Sequence, residues 1–236
     1  MIFLVNQGTY EIMPSSSQPY TLSIPSLSPQ KGDLVLISLR VASNVNISST
    51  DFTEVGSYHR TDSPYLTHYL FAKVAGNSEP SYYYFTISNY VETCYTTKLF
   101  RGVDSAQPII SVRQNISSGT YASIPSLSLQ QGSMVIAAVA TTTGSVVSSD
   151  NWQGGSSYTY NQIFWQIFGG ASQTENPILF SSPYDNYWSI ITAELKDANP
   201  VIADTIFVDW LLTDKPGSKL WVKINGEWKP AKITII

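Results

Sequence analysis

Ser23-Ile-Pro-Ser-Leu-Ser-Pro-Gln-Lys-Gly32 returns a hundred residues later as Ser123-Ile-Pro-Ser-Leu-Ser-Leu-Gln-Gln-Gly132, identical at eight of ten positions. Each copy leads into an apolar, β-branched run, Leu34–Val41 in the first and Met134–Ala140 in the second. Self-similarity at this period is too long for a solenoid repeat and matches the length of a small β domain. The expectation is therefore duplication of a whole domain.

The match extends outward from the decamer. Phe52 and Trp152 each follow a Ser/Asp-rich turn, and Tyr69–Gly76 aligns with Ile163–Gly170. Glu79-Pro80 falls near Glu175-Asn-Pro177, Phe85–Ser88 near Phe180–Pro183, and Asp104–Pro108 near Asp197–Pro200. The offset shrinks along the chain, as expected when loops of the second copy lose residues at low cost.

A chain of 236 residues divides comfortably into two β domains and a short appendix. Strand-like runs occur at short spacing with Gly, Pro, Ser and Asn between them, which indicates a sandwich or barrel. The strands are read as Ile2–Val5 and Thr9–Met13 joined at Gly8, then Tyr20–Ile24, Leu34–Val41, Phe52–Tyr58 at an edge, His68–Val74, Tyr82–Ile87 and Thr93–Val103. The second copy places strands near 109–115, 120–124, 133–141, 151–159, 162–168, 177–181 and 187–195. No stretch of either copy carries a helical period. The fold class is all-β: two tandem antiparallel sandwiches of jelly-roll or immunoglobulin-like type, 1–107 and 108–200, followed by a C-terminal strand and hairpin, 201–236.

In that last segment Asp204–Leu212 alternates as a strand, and Lys219–Ile224 and Glu227–Ile235 flank Asn225-Gly226. Asn-Gly between alternating runs signals a tight hairpin, because both central residues of the turn take positive φ. The segment carries Trp210, Trp221, Trp228 and five lysines from Lys215 onward. It is too small to hold a core alone, so these tryptophans are read as an assembly or docking interface.

Charged residues make up 13% of the chain, about half the usual share, and the net charge is −4. With no Lys/Arg cluster, nucleic acid is not expected as a partner. No apolar run reaches the length of a membrane span, so no insertion is expected. Met1–Val5 is apolar but lacks a basic flank and breaks at Asn6-Gln-Gly8, which argues against a signal peptide and for a product made and left in a cytosol.

Chemistry is sparse. Cys94 is the single cysteine, which excludes an internal disulfide, and its strand setting reads as a small core residue. His59 and His68 have no further ligands at zinc spacing and read as ordinary strand or loop histidines. No nucleophile elbow, P-loop or dinucleotide fingerprint is present. Asp51 with Glu54, and Asp104 with Glu92, are the carboxylate pairs available to a glycosidase, and acidic residues in turns are commonplace. Asp204, Asp209 and Asp214 do not have calcium-loop spacing. Asn46-Ile-Ser48 and Asn115-Ile-Ser117 match the glycosylation pattern by chance. The expectation is no enzyme, no cofactor, no metal and no catalytic residue.

Tyrosine is the residue suited to binding. In Tyr82-Tyr-Tyr-Phe85, Tyr82 and Tyr84 share one face and Tyr83 and Phe85 the other, so one pair is core and the other is available to a ligand. Tyr158 and Tyr160, beside Tyr184 and Tyr187, are the second copy's candidates. Exposed aromatic rings among Ser and Asn suit sugar faces or protein partners.

The run Ile24-Pro-Ser-Leu, Gly32-Asp-Leu-Val-Leu, Phe52-Thr-Glu-Val-Gly56, Tyr69–Ala75, Ser78-Glu-Pro, Tyr84-Phe-Thr-Ile87, Phe100-Arg-Gly-Val-Asp104 and Pro108 resembles a β-sandwich repeat of bacteriophage virion proteins and related bacterial surface proteins. The second copy departs at its end, with Leu195-Lys-Asp197. Leu220-Trp-Val-Lys-Ile-Asn-Gly-Glu-Trp-Lys-Pro-Ala231 is similar to hairpins near the ends of phage tail and fibre proteins. The resemblance implies a virion structural protein, a tail-fibre, tail-tip or capsid-surface component with a part in host attachment. Its partners would be other virion proteins, further copies of itself in a homo-oligomer, and a host surface glycan or protein. The competing expectation is a bacterial carbohydrate-binding or adhesin module.

Overall fold

The computed structural model describes residues 1–12, 20–89, 91–123, 128–129, 133–143, 147–148, 152–154, 160–167, 173–174, 179–198, 203–207, 220–224 and 227–231. The regular elements among them are all β-strands. In chain order they are β1 (Phe3–Ile12), β2 (Tyr20–Pro25), β3 (Leu34–Val41), β4 (Ile47–Ser48), β5 (Thr53–Arg60), β6 (Leu66–Val74), β7 (Tyr82–Ile87), β8 (Thr93–Arg101) and β9 (Ile109–Ser123). They continue as β10 (Ser128–Leu129), β11 (Met134–Thr141), β12 (Val147–Ser148), β13 (Asn161–Ile167), β14 (Gln173–Thr174), β15 (Leu179–Leu195), β16 (Ala203–Phe207), β17 (Leu220–Ile224) and β18 (Glu227–Ala231). The chain forms two compact units, Met1–Ala198 and Asn199–Ile236.

Within the first unit, five strands pair in the order β1-β8-β3-β6-β5 and three in the order β2-β7-β4, all antiparallel. The core between these sheets holds Leu22, Ile24, Val35, Ile37, Leu39, Phe71, Tyr83 and Phe85. A second large sheet runs β12-β15-β11-β13 with β9 on β15, and β10 pairs with β14. Its outer core holds Val135, Ala137, Val139, Trp152, Phe164, Trp188 and Ile190. Phe52 and Trp152, equated from sequence, are each buried in the core of their own sandwich.

The two large sheets are not separate beads. They pack face to face through Leu34, Leu36, Leu70 and Phe100 from the first and Met134, Ile136, Ile163, Ile191 and Leu195 from the second. β13 crosses over β8 and β3, β11 over β3 and β6, and β15 over β6 and β5. β3 and β11 are therefore buried on both faces along their whole length, which is why they read as nearly continuous apolar runs, interrupted in β3 by Ser38 and Arg40. Each such Leu or Ile contributes about 1.5–3 kcal/mol by leaving water.

Register shows how closely the two sheets correspond. Leu4 and Asn6 face Phe100 and Leu99, skipping Val5, and Ile109 and Ser111 face Leu195 and Glu194, skipping Ile110. The bulge thus sits at the same place in both. The same ladders correct one sequence alignment. Leu39 faces Tyr69 while Val139 faces Gln162, so Tyr69 corresponds to Gln162 and not to Ile163. Phe71 then matches Phe164, each in its sandwich core, whereas a one-residue slip would turn every side chain to the opposite face.

Three strand readings also change. Gly8 does not divide the first strand, because β1 pairs with β8 from Phe3 to Ile12. The described residues of the predicted strands 109–115 and 120–124 form one continuous β9, and those of 177–181 and 187–195 belong to one β15 with an irregularity between Ser181 and Asn186. A single continuous partner, β8 for β1 and β15 for β9, carries each of those two strands through its polar stretch. Most of the predicted strand 151–159 lies outside the described residues; within its described part Gln153 bridges Trp165.

In the second unit, β16, β17 and β18 form a three-stranded antiparallel sheet. Phe207 faces Trp221, which faces Pro230, and Lys223 faces Trp228. Trp210 and the Asn225-Gly226 turn lie outside the described residues.

Candidate functional site

β7 alternates strictly between exposed and buried residues. Tyr83 and Phe85 are fully buried, while Tyr82 is 49% and Tyr84 55% exposed. The inner pair is locked by other rings: Phe52 lies edge-on to Tyr83 at 4.9 Å, and Phe71 meets Phe85 at 5.1 Å. The Tyr83 hydroxyl donates to Glu79 Oε2 at 3.0 Å. Burial, and then the Glu79 carboxylate, push that phenol above its ordinary pKa. Glu79 also accepts from the Gly76 N–H at 2.6 Å and pairs with Lys73 at 2.8 Å. Burial alone would raise the Glu79 pKa, but the bonds from Lys73, Gly76 and Tyr83 outweigh it and hold the carboxyl below its ordinary value. The outward tyrosines are thus mounted on a strand whose inner face is fixed.

The rest of this outer face is polar and uncharged. Tyr84 faces Ser23, Tyr82 faces Pro25, and Thr86 faces both Thr21 and Ser48 across the ladders. Where β2 and β7 end, a groove of about 490 Å³ opens between Pro25–Pro29 and Glu79–Ser81. Its near end is closed by Ser26 N–H donating to Ser81 C=O at 3.1 Å.

One groove wall belongs to the repeated decamer, Ser23–Gly32. Leu27 and Ser28 both take left-handed backbone conformations, at φ 56° and 53°. For non-glycine residues this costs roughly 1–2 kcal/mol each, and such strain persists only where neighbours enforce it. Asn6 Nδ2 donates to Leu27 C=O at 3.4 Å. Downstream, Asp33 accepts from Gln30 N–H and from two guanidinium nitrogens of Arg101, at 2.8 and 2.9 Å. In the second copy the positions of Asp33 and Arg101 hold Ser133 and Lys196, and most of its decamer lies outside the described residues.

The second sheet does not reproduce the tyrosine pair. Phe180 faces Ala122 as Phe85 faces Leu22, so Leu179 stands at the register position of Tyr84. Tyr121, 64% exposed, occupies the register position of Thr21. The other predicted tyrosines are placed differently. Tyr160 receives the Arg40 guanidinium over its ring at 5.0 Å, and Tyr187 receives that of Arg60 at 3.5 Å. Both therefore join the two large sheets. Tyr158 lies outside the described residues.

Sequence reading missed a polar seam between the large sheets. Ser189 Oγ contacts His68 Nδ1 at 2.9 Å, His68 Nε2 contacts Ser38 Oγ at 3.0 Å, and Ser38 donates to Asn161 Oδ1 at 2.6 Å. The Asn161 amide in turn donates to the carbonyls of Ser38 and Cys94. This donor order assigns the His68 proton to Nε2. Burial alone lowers the His68 pKa to about 3. Arg40, 3% exposed, donates to the Thr141 and Thr142 carbonyls and to Glu92 at 2.8 Å. Lys98, 2% exposed, donates to Gln7 Oε1 and to Gly154 C=O and lies 4.7 Å from the Trp165 ring centroid, and burial lowers its pKa to about 8. The available signal was three basic residues inside strands that otherwise read as core.

His59 packs edge-on against Tyr69 at 5.2 Å. Of the carboxylates considered for acid–base work, Glu92 is committed to Arg40 and Asp104 to Lys196 at 2.8 Å. Among the described residues, no three His, Cys, Asp or Glu side chains converge as metal ligands. No helix among them is long and apolar enough to cross a membrane.

No protein-family model, no curated protein and no solved structure matches this chain.

Proposed function

We propose that this chain is a non-enzymatic structural protein of a phage-type virion, a tail-fibre, tail-tip or capsid-surface component, which also attaches the particle to a host cell surface. The observation that carries the attachment role is the exposed pair Tyr82 and Tyr84, mounted on a sheet whose inner face is fully buried and bordered by a groove. Exposed tyrosines give large amphipathic contact area at low entropic cost. The virion setting rests on the resemblance of the repeats and of the Trp-Val-Lys-Ile-Asn-Gly-Glu-Trp-Lys hairpin at 221–229. The second unit has a three-stranded sheet among its described residues, and a sheet of this size is stable only with a hydrophobic face to bury.

The test is binding of the labelled full chain to a panel of bacterial strains, beside the double variant Tyr82→Ala/Tyr84→Ala. At least one strain should bind the wild-type chain, and the double variant should bind it roughly tenfold or more weakly with an unchanged circular dichroism spectrum. Equal binding by both chains, or binding to no strain, overturns the attachment role. A second reading, a free carbohydrate-binding or adhesin module, draws on the same tyrosine face. It predicts a monomer in solution, whereas a virion component self-associates or joins a larger particle.

A further inference from the structure

We infer that the ligand of the tyrosine face is an uncharged saccharide chain that lies across Tyr82 and Tyr84 and runs into the groove beside Pro25, with one such site per chain. This rests on the attachment reading above and specifies what is attached to.

Charge is the first argument. The side chains on the outer face, Thr21, Ser23, Ser48, Tyr82, Tyr84 and Thr86, include no carboxylate and no cation. The groove's single ionisable residue, Glu79, is already satisfied by Lys73, Gly76 and Tyr83. An anionic polymer or a charged peptide would lose hydration here and gain no opposite charge in return. A neutral ligand loses nothing of the kind.

Shape and chemistry are the second. Tyr82 and Tyr84 are two residues apart on one strand face, which spaces them about 7 Å apart along the strand. A sugar ring offers an apolar C–H face with hydroxyls around its rim. Two tyrosine faces match the first, and the flanking serine and threonine hydroxyls match the second. The groove continues the same chemistry, with proline and leucine beside Ser26, Ser28 and Ser81. The left-handed pair Leu27 and Ser28 supplies the bent backbone that shapes this wall.

Stoichiometry is the third. The decamer occurs in both copies, but the second sheet has Leu179 where the first has Tyr84. Among the described residues, a site needing the tyrosine pair occurs once.

The deciding experiment measures tyrosine-dependent binding of the full chain to the strain identified above, under three treatments. Periodate, which cleaves vicinal diols of sugars, should abolish it, whereas protease treatment of the cells should not. Raising sodium chloride to 1 M should change the apparent Kd by less than about twofold, because no ion pair is formed. Neutral dextran, mannan or chitohexaose should compete better than heparin or polysialic acid, and calorimetry with a competing neutral oligosaccharide should give one site per chain. Tyr84→Phe should retain binding, Tyr84→Ala should lose about tenfold or more, equivalent to about 1.4 kcal/mol, and Tyr121→Ala should match wild type. If tyrosine-dependent binding survives periodate, is lost to protease, falls steeply with salt or titrates to two sites, the ligand assignment is wrong while attachment stands. If the tyrosine variants bind cells as wild type does, the attachment reading itself fails.

Discussion

At the scale of the residue, the densest dependence is around Gly154. Its φ is +99°, and a Cβ added there would lie 1.6 Å from Trp165 Cζ3. Its carbonyl accepts from Lys98, and Lys98 is held against the same Trp165 ring. One glycine therefore fixes a ring and a buried cation at the meeting of the two large sheets. Gly154→Ala combines a left-handed backbone penalty with overpacking, and should destabilise the chain by about 2–5 kcal/mol. Thermal melting would check this, and an unchanged melting temperature would contradict the packing. Trp165 was visible in the sequence as an apolar strand residue. That it covers a glycine eleven positions earlier was not, because the contact is made by strand pairing and not by local periodicity.

At the scale of the element, β6 shows what one position in a ladder decides. Leu70 and Ala72 face the second large sheet, while Tyr69 and Phe71 face the sandwich core. His68 lies on the Leu70 side and is completely buried, with Arg40 opposite it on β3. From β8 the same seam receives Cys94 and Lys98, from β15 Ser189, and from β13 Asn161, with Glu92 held on Arg40. Among the described residues, the imidazole's hydrogen-bond contacts are the Ser38 and Ser189 hydroxyls. The His68 pKa in the fold, about 3, lies below the ordinary 6.5, so its contribution to stability is complete above pH 6.5 and is lost as pH falls towards 3. The slope for one proton is about 1.4 kcal/mol per pH unit. Glu79 and Asp104, held below their ordinary values, also lose stability on acidification, so the variant comparison is what isolates His68. Urea unfolding of His68→Gln should show a shallower decline with acid than wild type across this window. Parallel curves would remove His68 as the acid-sensitive group.

At the scale of the whole molecule, the first unit is organised around a shared interior face. Two large sheets that share a four-strand order, β1-β8-β3-β6 and β9-β15-β11-β13, and the same bulge position bury one another's facing sides. A single sandwich with such an apolar outer face would be prone to associate, and packing the two together within one chain covers both faces. The second unit, Asn199–Ile236, contains a three-stranded sheet among its described residues. Light scattering of the full chain beside a chain ending at Pro200 should give a defined oligomer for the first and a folded monomer for the second. Two monomers would exclude self-assembly through residues 201–236.

The sequence by itself determined where most strands lie, since β3 and β7 coincide with the predicted runs and β2, β6 and β8 differ by a few end residues. It also determined that Tyr82 and Tyr84 share a face, because side-chain alternation in a strand is a local property. It did not determine which pair is buried, since Tyr83-Phe85 and Tyr82-Tyr84 are both aromatic and only Phe52 and Phe71, distant in sequence, choose between them. Arg40, His68 and Lys98 were likewise legible as strand residues but not as partners, because the groups that satisfy them are distant in sequence, among them Thr141, Thr142, Ser189 and Gly154 from the second half of the chain. The groove needed the strained turn at Leu27 and Ser28, which no residue preference of leucine or serine announces. Periodicity fixes the order of faces along a strand; only the packing of sheets, which is a long-range hydrophobic decision, fixes which face meets water.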